Sequence, residues 1–170
     1  MKAKLSMMIA IFLFMLTPIV AMADDTMIIV VRHAEKASDD PKDPGLSEQG
    51  KIRANKLAEI LKHSDLEAVF TTQYKRTQQT GLPAASQAGL ALQVRAATRE
   101  NSKTYAAELL KEIRKKYRGR TVLIVGHSNT VPEIVKQMTG IDVAPIDEST
   151  FDRFYLITLG KKVRLISSSF

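Results

Sequence analysis

The sequence predicts an α/β fold, a three-layer α/β/α sandwich around a mainly parallel central sheet. Apolar runs of strand length alternate along the chain with segments whose apolar residues recur at helical spacing. Two of the runs are apolar throughout, which is typical of strands that are buried on both faces of a parallel sheet.

Residues 1–23 have the three parts of a secretory signal peptide. Two lysines stand near the start, the run 7–16 is apolar but too short to span a bilayer comfortably, and Ala21-Met22-Ala23 has the small residues of a cleavage site. Cleavage would leave Asp24 as the mature N-terminus. We therefore expect a periplasmic or secreted protein with no membrane span after cleavage, and an uncleaved anchor is the alternative.

Residues 24–170 have a length that suits a single domain with one core. The chain has no cysteine, which excludes disulfides, thiolate zinc and a cysteine nucleophile. Its formal net charge is +7, and it is +5 once the two lysines of residues 1–23 are removed. This charge favours anionic ligands without saying which anion.

Five segments have the pattern of the strands that this fold needs. Residues 27–31 and 122–125 are the two fully apolar runs, and 68–71 is a weaker candidate. Residues 154–159 and 163–166 have the pattern of an antiparallel hairpin, which we place at an edge of the sheet.

Four segments between these strands predict helices. Two of them carry apolar stripes at the i, i+3, i+4, i+7 spacing of a buried face: Ala54, Leu57, Ala58 and Leu61 in one, and Ala106, Leu109, Leu110 and Ile113 in the other. Ser47 is the expected N-cap of the first. Another helix should follow Lys75, kinked or shortened by Gly81 and Pro83, and the last should begin near Thr130.

Two histidine motifs directly follow the two apolar runs. Arg32-His33 comes after the first run, and Gly126-His127 comes after the second and opens the last helix. Because the carboxyl ends of parallel strands meet at one edge of a sheet, we expect both histidines in one site. The helix that follows Ser128 presents free amides and a positive dipole end, so Ser128 is predicted to contact an anion or to cap the helix.

A third motif, Arg76-Thr77-Gln78-Gln79-Thr80, follows the strand candidate 68–71. With Arg32-His33 before it and Gly126-His127 after it, the chain resembles the histidine phosphatase superfamily, the group that includes the cofactor-dependent phosphoglycerate mutases. The segment 45–50 also resembles that family's entry to its first helix. The resemblance covers nearly all of residues 27–166.

The resemblance implies a phosphatase site built from four of these side chains. It makes His33 the nucleophile, and it implies that Arg32, Arg76 and His127 bind the phosphoryl oxygens. Guanidinium groups suit this task because they bind those oxygens bidentately. They thereby hold the phosphoryl group so that the nucleophile and the leaving group stay in line. His33 must be neutral at its attacking nitrogen, so its other ring nitrogen should donate to a backbone carbonyl, and we expect His127 to act as a charged donor.

The acid that protonates the leaving group is less directly indicated. Glu100 follows the strand-like segment 92–94, where its position resembles that of the family's usual acid, and it is the first choice. Glu35, beside the nucleophile, and Asp40, in the polar loop after the first strand, are the alternatives.

We expect no metal ion and no cofactor. Three histidines without a His-Glu-x-x-His pattern give little support for a metal site, and His63 suits a cation near a helix C-terminus. The basic run 111–120 is predicted to be a solvated helix face, and nucleic acid is not an expected partner of an exported protein. The expected partner is a small phosphorylated substrate.

These inferences predict an exported phosphatase that hydrolyses phosphomonoesters through a phosphohistidine on His33. A phosphoglycerate mutase is a weaker alternative, because export separates the enzyme from glycolytic substrates and the chain is too short for the family's larger lids. The alternative of another class is a catalytically idle module that binds phosphate or a phosphosugar on the same scaffold. Simple binding would not require a nucleophile.

Overall fold

The computed structural model describes residues 25–170, which form the α/β fold that the sequence predicts. The strands are β1 (Thr26–Arg32), β2 (Leu66–Thr71), β3 (Leu92–Val94), β4 (Thr121–Gly126), β5 (Arg153–Leu159) and β6 (Arg164–Ser169). The helices are α1 (Glu48–Leu61), α2 (Lys75–Gln87), α3 (Tyr105–Lys116) and α4 (Thr130–Thr139). The predicted signal peptide and its cleavage site lie outside the described residues. Among residues 25–170 no helix is long and apolar enough to cross a membrane.

The six strands form one sheet in the order β3-β2-β4-β1-β5-β6. The first four strands of this order pair in parallel, and β1 and β4 lie at its centre. β5 pairs antiparallel with β1, and β6 pairs antiparallel with β5, so the predicted hairpin at a sheet edge is confirmed. The carboxyl ends of β1, β2 and β4 therefore meet at one edge, as the site prediction requires.

Each face of the sheet is covered by a pair of helices. On one face, Ile28 and Val30 of β1 pack in a core with α3 and α4. On the other face, Ile29 and Val31 pack in a core with α1 and α2. Both faces of β1 are apolar for this reason, and the three-layer sandwich is confirmed.

The start of α1 confirms one helix prediction, whereas the course of α2 corrects another. The Ser47 side chain accepts a hydrogen bond of 3.1 Å from Gly50 N and is the N-cap of α1. α2 continues through Pro83 to Gln87, so of the predicted kink or shortening the shortening was wrong, and the kink stays a prediction. A Cβ atom on Gly81 would lie 2.9 Å from Val69 Cγ1, which shows how closely α2 lies against the sheet. This packing keeps the helix intact despite the hydrogen bond that Pro83 cannot make.

Candidate active site

A cavity of about 750 Å³ opens at the carboxyl edge of the sheet. All six side chains that the sequence assigned to the site line it: Arg32, His33, Arg76, Glu100, His127 and Ser128. Arg32 and His33 end β1, Arg76 lies in the first turn of α2, and His127 lies between β4 and α4. The parallel pairing of β1, β2 and β4 thus brings together the three motifs that follow these strands, Arg32-His33, residues 76–80 and Gly126-His127.

His33 is held in the tautomer that a nucleophile needs. Its side chain is buried, and Nδ1 lies 2.8 Å from the carbonyl oxygen of Ala34. Because a carbonyl oxygen can only accept, Nδ1 carries the ring proton and Nε2 keeps its lone pair. Burial, with the nearby charges of Arg32 and Arg76, lowers the pKa of His33 to about 4. The imidazole is therefore neutral at pH 7.

The third sequence motif, residues 76–80, contacts the segment that follows His33. The buried hydroxyl of Thr80 accepts a 2.9 Å hydrogen bond from Ala34 N and donates one of 2.7 Å to Arg76 O. Gln79 Oε1 accepts a 2.7 Å hydrogen bond from Leu46 N and so links α2 to the loop before α1. The motif thus supplies both Arg76, a predicted phosphate-binding residue, and the contacts that position Ala34.

His127 lies beside His33, the predicted nucleophile, with 5.3 Å between the two ring centroids. Its Nε2 is 3.0 Å from Thr72 Oγ1, which is 2.9 Å from Thr77 Oγ1. Thr77 must donate to a backbone carbonyl, 2.8 Å away at Tyr74 O or 3.2 Å away at Thr72 O. The Thr72 hydroxyl therefore donates to Thr77, and His127 Nε2 donates to Thr72.

The charge on His127 depends on whether an anion occupies the site. Burial, with the nearby His33, Arg76 and Arg32, lowers the pKa of His127 to about 3. In a site without an anion the ring is neutral, with its proton on Nε2. A phosphoryl dianion would oppose this effect, so the expected charged donor requires the substrate to be present.

The two arginines of the site are held by different contacts. Arg32 is 2% exposed, and its guanidinium stacks at 4.3 Å on the ring of Phe151. Arg76 stacks at 4.3 Å on Tyr74 and has Asp43 Oδ1 at 3.8 Å. The Nε atoms of both arginines are buried and have no hydrogen-bond partner among residues 25–170. Each guanidinium group thus has one buried N–H donor that no described residue satisfies.

The sequence analysis missed Glu148, which lies in the segment between α4 and β5. Its Oε2 accepts a 2.8 Å hydrogen bond from Arg32 Nη2, and its Oε1 accepts one of 2.7 Å from Ser128 Oγ. Lys36 Nζ is 4.0 Å away. The Ser128 hydrogen bond and the Arg32 charge lower the pKa of this carboxyl. No strand-end motif marks Glu148, and sequence periodicity gives no signal for it.

Ser128 is not the N-cap of α4, which is Asn129. The first turn is organised by Thr130, whose Oγ1 accepts a 2.8 Å hydrogen bond from His127 N. A Cβ on Gly126 would lie 2.7 Å from that hydroxyl, so glycine leaves the room it needs. Of the two roles predicted for Ser128, the cap is therefore wrong, and contact with an anion stays a prediction.

The three carboxylates proposed from sequence as the acid lie in different surroundings. Glu100 lines the cavity but is fully exposed, and a hydrogen bond with the Thr98 side chain lowers its pKa. Glu35 forms a bidentate pair with Arg53, and Asp40 accepts backbone hydrogen bonds within its own loop. The pKa of each is lowered, by hydrogen bonds that favour the ionised form. The pKa of Glu148 is lowered as well, so the direction of the pKa shift in the free site does not distinguish these three carboxylates from Glu148.

Residues 25–170 contain no group of three or more His, Cys, Asp or Glu side chains that could hold a metal ion. Four cationic side chains line the cavity, namely Arg32, Lys36, Arg76 and Arg99.

Comparison with known proteins agrees with this architecture. The model of the histidine phosphatase superfamily (branch 1) matches residues 28–104. The fold is similar to that of the protein histidine phosphatase SixA complexed with tungstate, with a TM-score of 0.67, 18% identity, and coverage of 84% of this chain and 96% of that one. The fold is also similar to that of the mycobacterial glucosyl-3-phosphoglycerate phosphatase complexed with VO3, with a TM-score of 0.64 and 14% identity. That comparison covers 85% of this chain and 98% of the other. At these identities the structures show a shared fold, and no curated protein sequence matches the chain.

Proposed function

Because the chain belongs to the histidine phosphatase superfamily, we propose that it hydrolyses phosphomonoesters through a phosphohistidine on His33. The observation that carries the proposal is the state of His33, a buried imidazole with its proton fixed on Nδ1 and its Nε2 free. It lies in the same cavity as two arginines with unpartnered Nε atoms. A nucleophile beside an anion site is what phosphoryl transfer requires.

In the first step, His33 Nε2 attacks phosphorus and the bond to the leaving oxygen breaks. Arg32 and Arg76 hold the non-bridging oxygens, and a proton donor gives its proton to the leaving oxygen. The phosphoryl dianion raises the pKa of His127, which takes up a proton on Nδ1 and donates it as a hydrogen bond to the transferring group. In the second step, water attacks the phosphohistidine, inorganic phosphate leaves and His33 returns to its neutral form.

Two arginines supply the positive charge that many other phosphatases take from a metal ion. We therefore propose that turnover is metal-independent and needs no cofactor. The substrate class is a phosphomonoester or a related phosphoramidate, carried by a small molecule. The name of one similar fold, a glucosyl-3-phosphoglycerate phosphatase, supports the phosphomonoester, and the name of another, a protein histidine phosphatase, supports the phosphoramidate. The pattern of residues 1–23 supports a periplasmic or secreted location.

A phosphatase assay tests the proposal. The purified protein should hydrolyse p-nitrophenyl phosphate after exhaustive chelation, and vanadate should inhibit it as an analogue of the five-coordinate transition state. Arg76→Ala should remove most of this activity. The matched control is Arg120→Ala, whose exposed side chain pairs with Glu67 near the opposite, amino end of β4. Loss of turnover on chelation with recovery on adding metal, or equal activity in both variants, would contradict the proposal.

A further inference from the structure

We propose that Glu148 is the proton donor to the leaving group, held ready in the free enzyme by Arg32 and Ser128. This proposal rests on the proposed phosphatase function and adds the residue that completes it. Three glutamates line the cavity, namely Glu100, Glu133 and Glu148. Among the described residues, Glu148 is the one carboxylate that hydrogen-bonds to a predicted phosphate-binding arginine, Arg32.

The segment that carries Glu148 is fixed to the site through its backbone. Arg32 Nη1 donates hydrogen bonds of 2.6 Å to Asp147 O and 3.1 Å to Thr150 O, while the guanidinium stacks on Phe151. Thr150 N also donates to Asp147 O at 3.0 Å, which closes a turn. These contacts use Nη1 and the guanidinium face, whereas Glu148 contacts Nη2. The Glu148 side chain can therefore leave Arg32 while its backbone stays beside the cavity.

An incoming phosphoryl group competes for the donors that hold Glu148. Arg32 Nη2 is engaged by Glu148, and Arg32 Nε is unpartnered, so full use of this guanidinium by the substrate displaces the carboxylate from Nη2. A carboxylate and a phosphoryl dianion in one small site repel each other, and the carboxylate relieves this repulsion by taking up a proton. Substrate binding thus converts the ionised Glu148 of the free enzyme into the acid that catalysis needs.

The position of Glu148 suits in-line transfer. His33 is 3% exposed, whereas the Glu148 side chain is 72% exposed, and both residues line the cavity. In-line displacement places the leaving group on the side of phosphorus opposite the nucleophile. Attack from the buried His33 therefore directs the leaving oxygen toward solvent, and the exposed Glu148 side chain is the carboxylate that we propose meets it there.

The proton balance closes over the two steps. As the bond from His33 Nε2 to phosphorus forms and the bond from phosphorus to the leaving oxygen breaks, the proton of the Glu148 carboxylic acid moves to that oxygen and an alcohol departs. The resulting Glu148 carboxylate then takes a proton from the water that attacks the phosphohistidine. Inorganic phosphate leaves, and Glu148 either keeps that proton for the next turnover or releases it to solvent.

The test compares Glu148→Gln with the matched variant Glu100→Gln, since both residues line the cavity. The kcat/KM of each is measured on a series of phosphomonoesters that runs from p-nitrophenyl phosphate, which needs no protonation, to phenyl and alkyl phosphates, which do. We expect Glu148→Gln to keep much of its activity on the nitrophenyl ester and to lose about 10²- to 10⁴-fold on alkyl esters. The basic limb of its pH profile on alkyl esters should disappear. Glu100→Gln should show neither change.

Three outcomes would overturn the proposal. These are equal losses on all esters in Glu148→Gln, equal gains on all esters because a blocking carboxylate has been removed, or the leaving-group dependence in Glu100→Gln instead. A separate experiment tests the proposed phosphatase function itself: the phosphoenzyme is trapped in the unaltered protein. If the phosphoenzyme forms but Glu148→Gln shows no leaving-group dependence, the proposal for Glu148 fails alone. If it does not form, both fail.

Discussion

Replacing Thr80 by Val tests how the third motif supports the nucleophile. The change swaps a hydroxyl for a methyl group at a side chain that is 2% exposed, so the volume is almost conserved. It removes the acceptor of the 2.9 Å hydrogen bond from Ala34 N. Ala34 is itself 1% exposed, and water cannot readily replace the lost partner. A buried N–H group is thus left unsatisfied next to the carbonyl that holds His33 Nδ1.

The expected loss of stability in Thr80→Val comes from the unsatisfied Ala34 N–H group. An unsatisfied buried donor costs about 1–3 kcal/mol, whereas the lost bond to Arg76 O adds little because that carbonyl also accepts within α2. In a domain of this size, about 1 kcal/mol lowers Tm by about 2–4 °C. Movement of Ala34 also loosens the orientation of His33, and a misplacement of about 1 Å costs up to about 10²-fold in rate. We therefore expect a lower Tm together with a lower kcat.

Thr71→Val is the matched control. Thr71 is also fully buried, but its hydroxyl has no hydrogen-bond partner among residues 25–170. Replacing this hydroxyl by a methyl group removes an unsatisfied polar group, so the variant should be as stable as the parent or more stable. Calorimetry gives the two Tm values, and steady-state kinetics on p-nitrophenyl phosphate give the two kcat values. Equal effects of Thr71→Val and Thr80→Val on both quantities would refute the role assigned to Thr80.

Three further predictions concern other parts of the molecule. Gly50→Ala should lower the free energy of unfolding by about 1–3 kcal/mol in denaturant titrations, because a Cβ there would collide with the carbonyl oxygen of Glu35. The pKa values of about 4 for His33 and about 3 for His127 predict neutral-imidazole NMR signals from pH 8 to pH 5. Since an unfolded histidine protonates near 6.5, their contribution to stability is complete above that pH and is lost as the pH falls toward 4, which thermal melts would detect. N-terminal sequencing of protein from an exporting cell should begin at Asp24, and a retained Met1 would contradict the export proposal.

The strands and helices were predictable because their signals are local. The unbroken apolar run that becomes β1 has no alternation because both of its faces are covered, by α1 and α2 on one side and α3 and α4 on the other. Ser47 predicted the start of α1 because a cap depends on residues within one turn. The course of α2 was not predictable in this way, since the packing of Gly81 against β2 outweighs the local effect of Pro83.

In the candidate site, too, the residues with a local sequence signal were predictable, whereas the contacts between distant segments were not. His33 and His127 were predictable because each directly follows a buried strand, and parallel pairing fixes where strand ends meet. The burial that makes His127 neutral in the free site depends on the folded surroundings, so the sequence could not predict it, and the charged donor toward a bound phosphoryl group stays a prediction. Glu148 contacts Arg32 across 116 positions of sequence, from a segment without regular structure. Nothing local to that segment predicts the contact.

The most direct measurement of the central claim is the covalent state of His33 during turnover. A rapid quench without acid, followed by mass spectrometry of the peptides, should find one phosphoryl group on His33. As a phosphoramidate, this adduct should be stable in base and labile in acid, and His33→Ala should show neither the adduct nor turnover. An adduct that is stable in acid, or one that persists in His33→Ala, would contradict the assignment of His33 as the nucleophile.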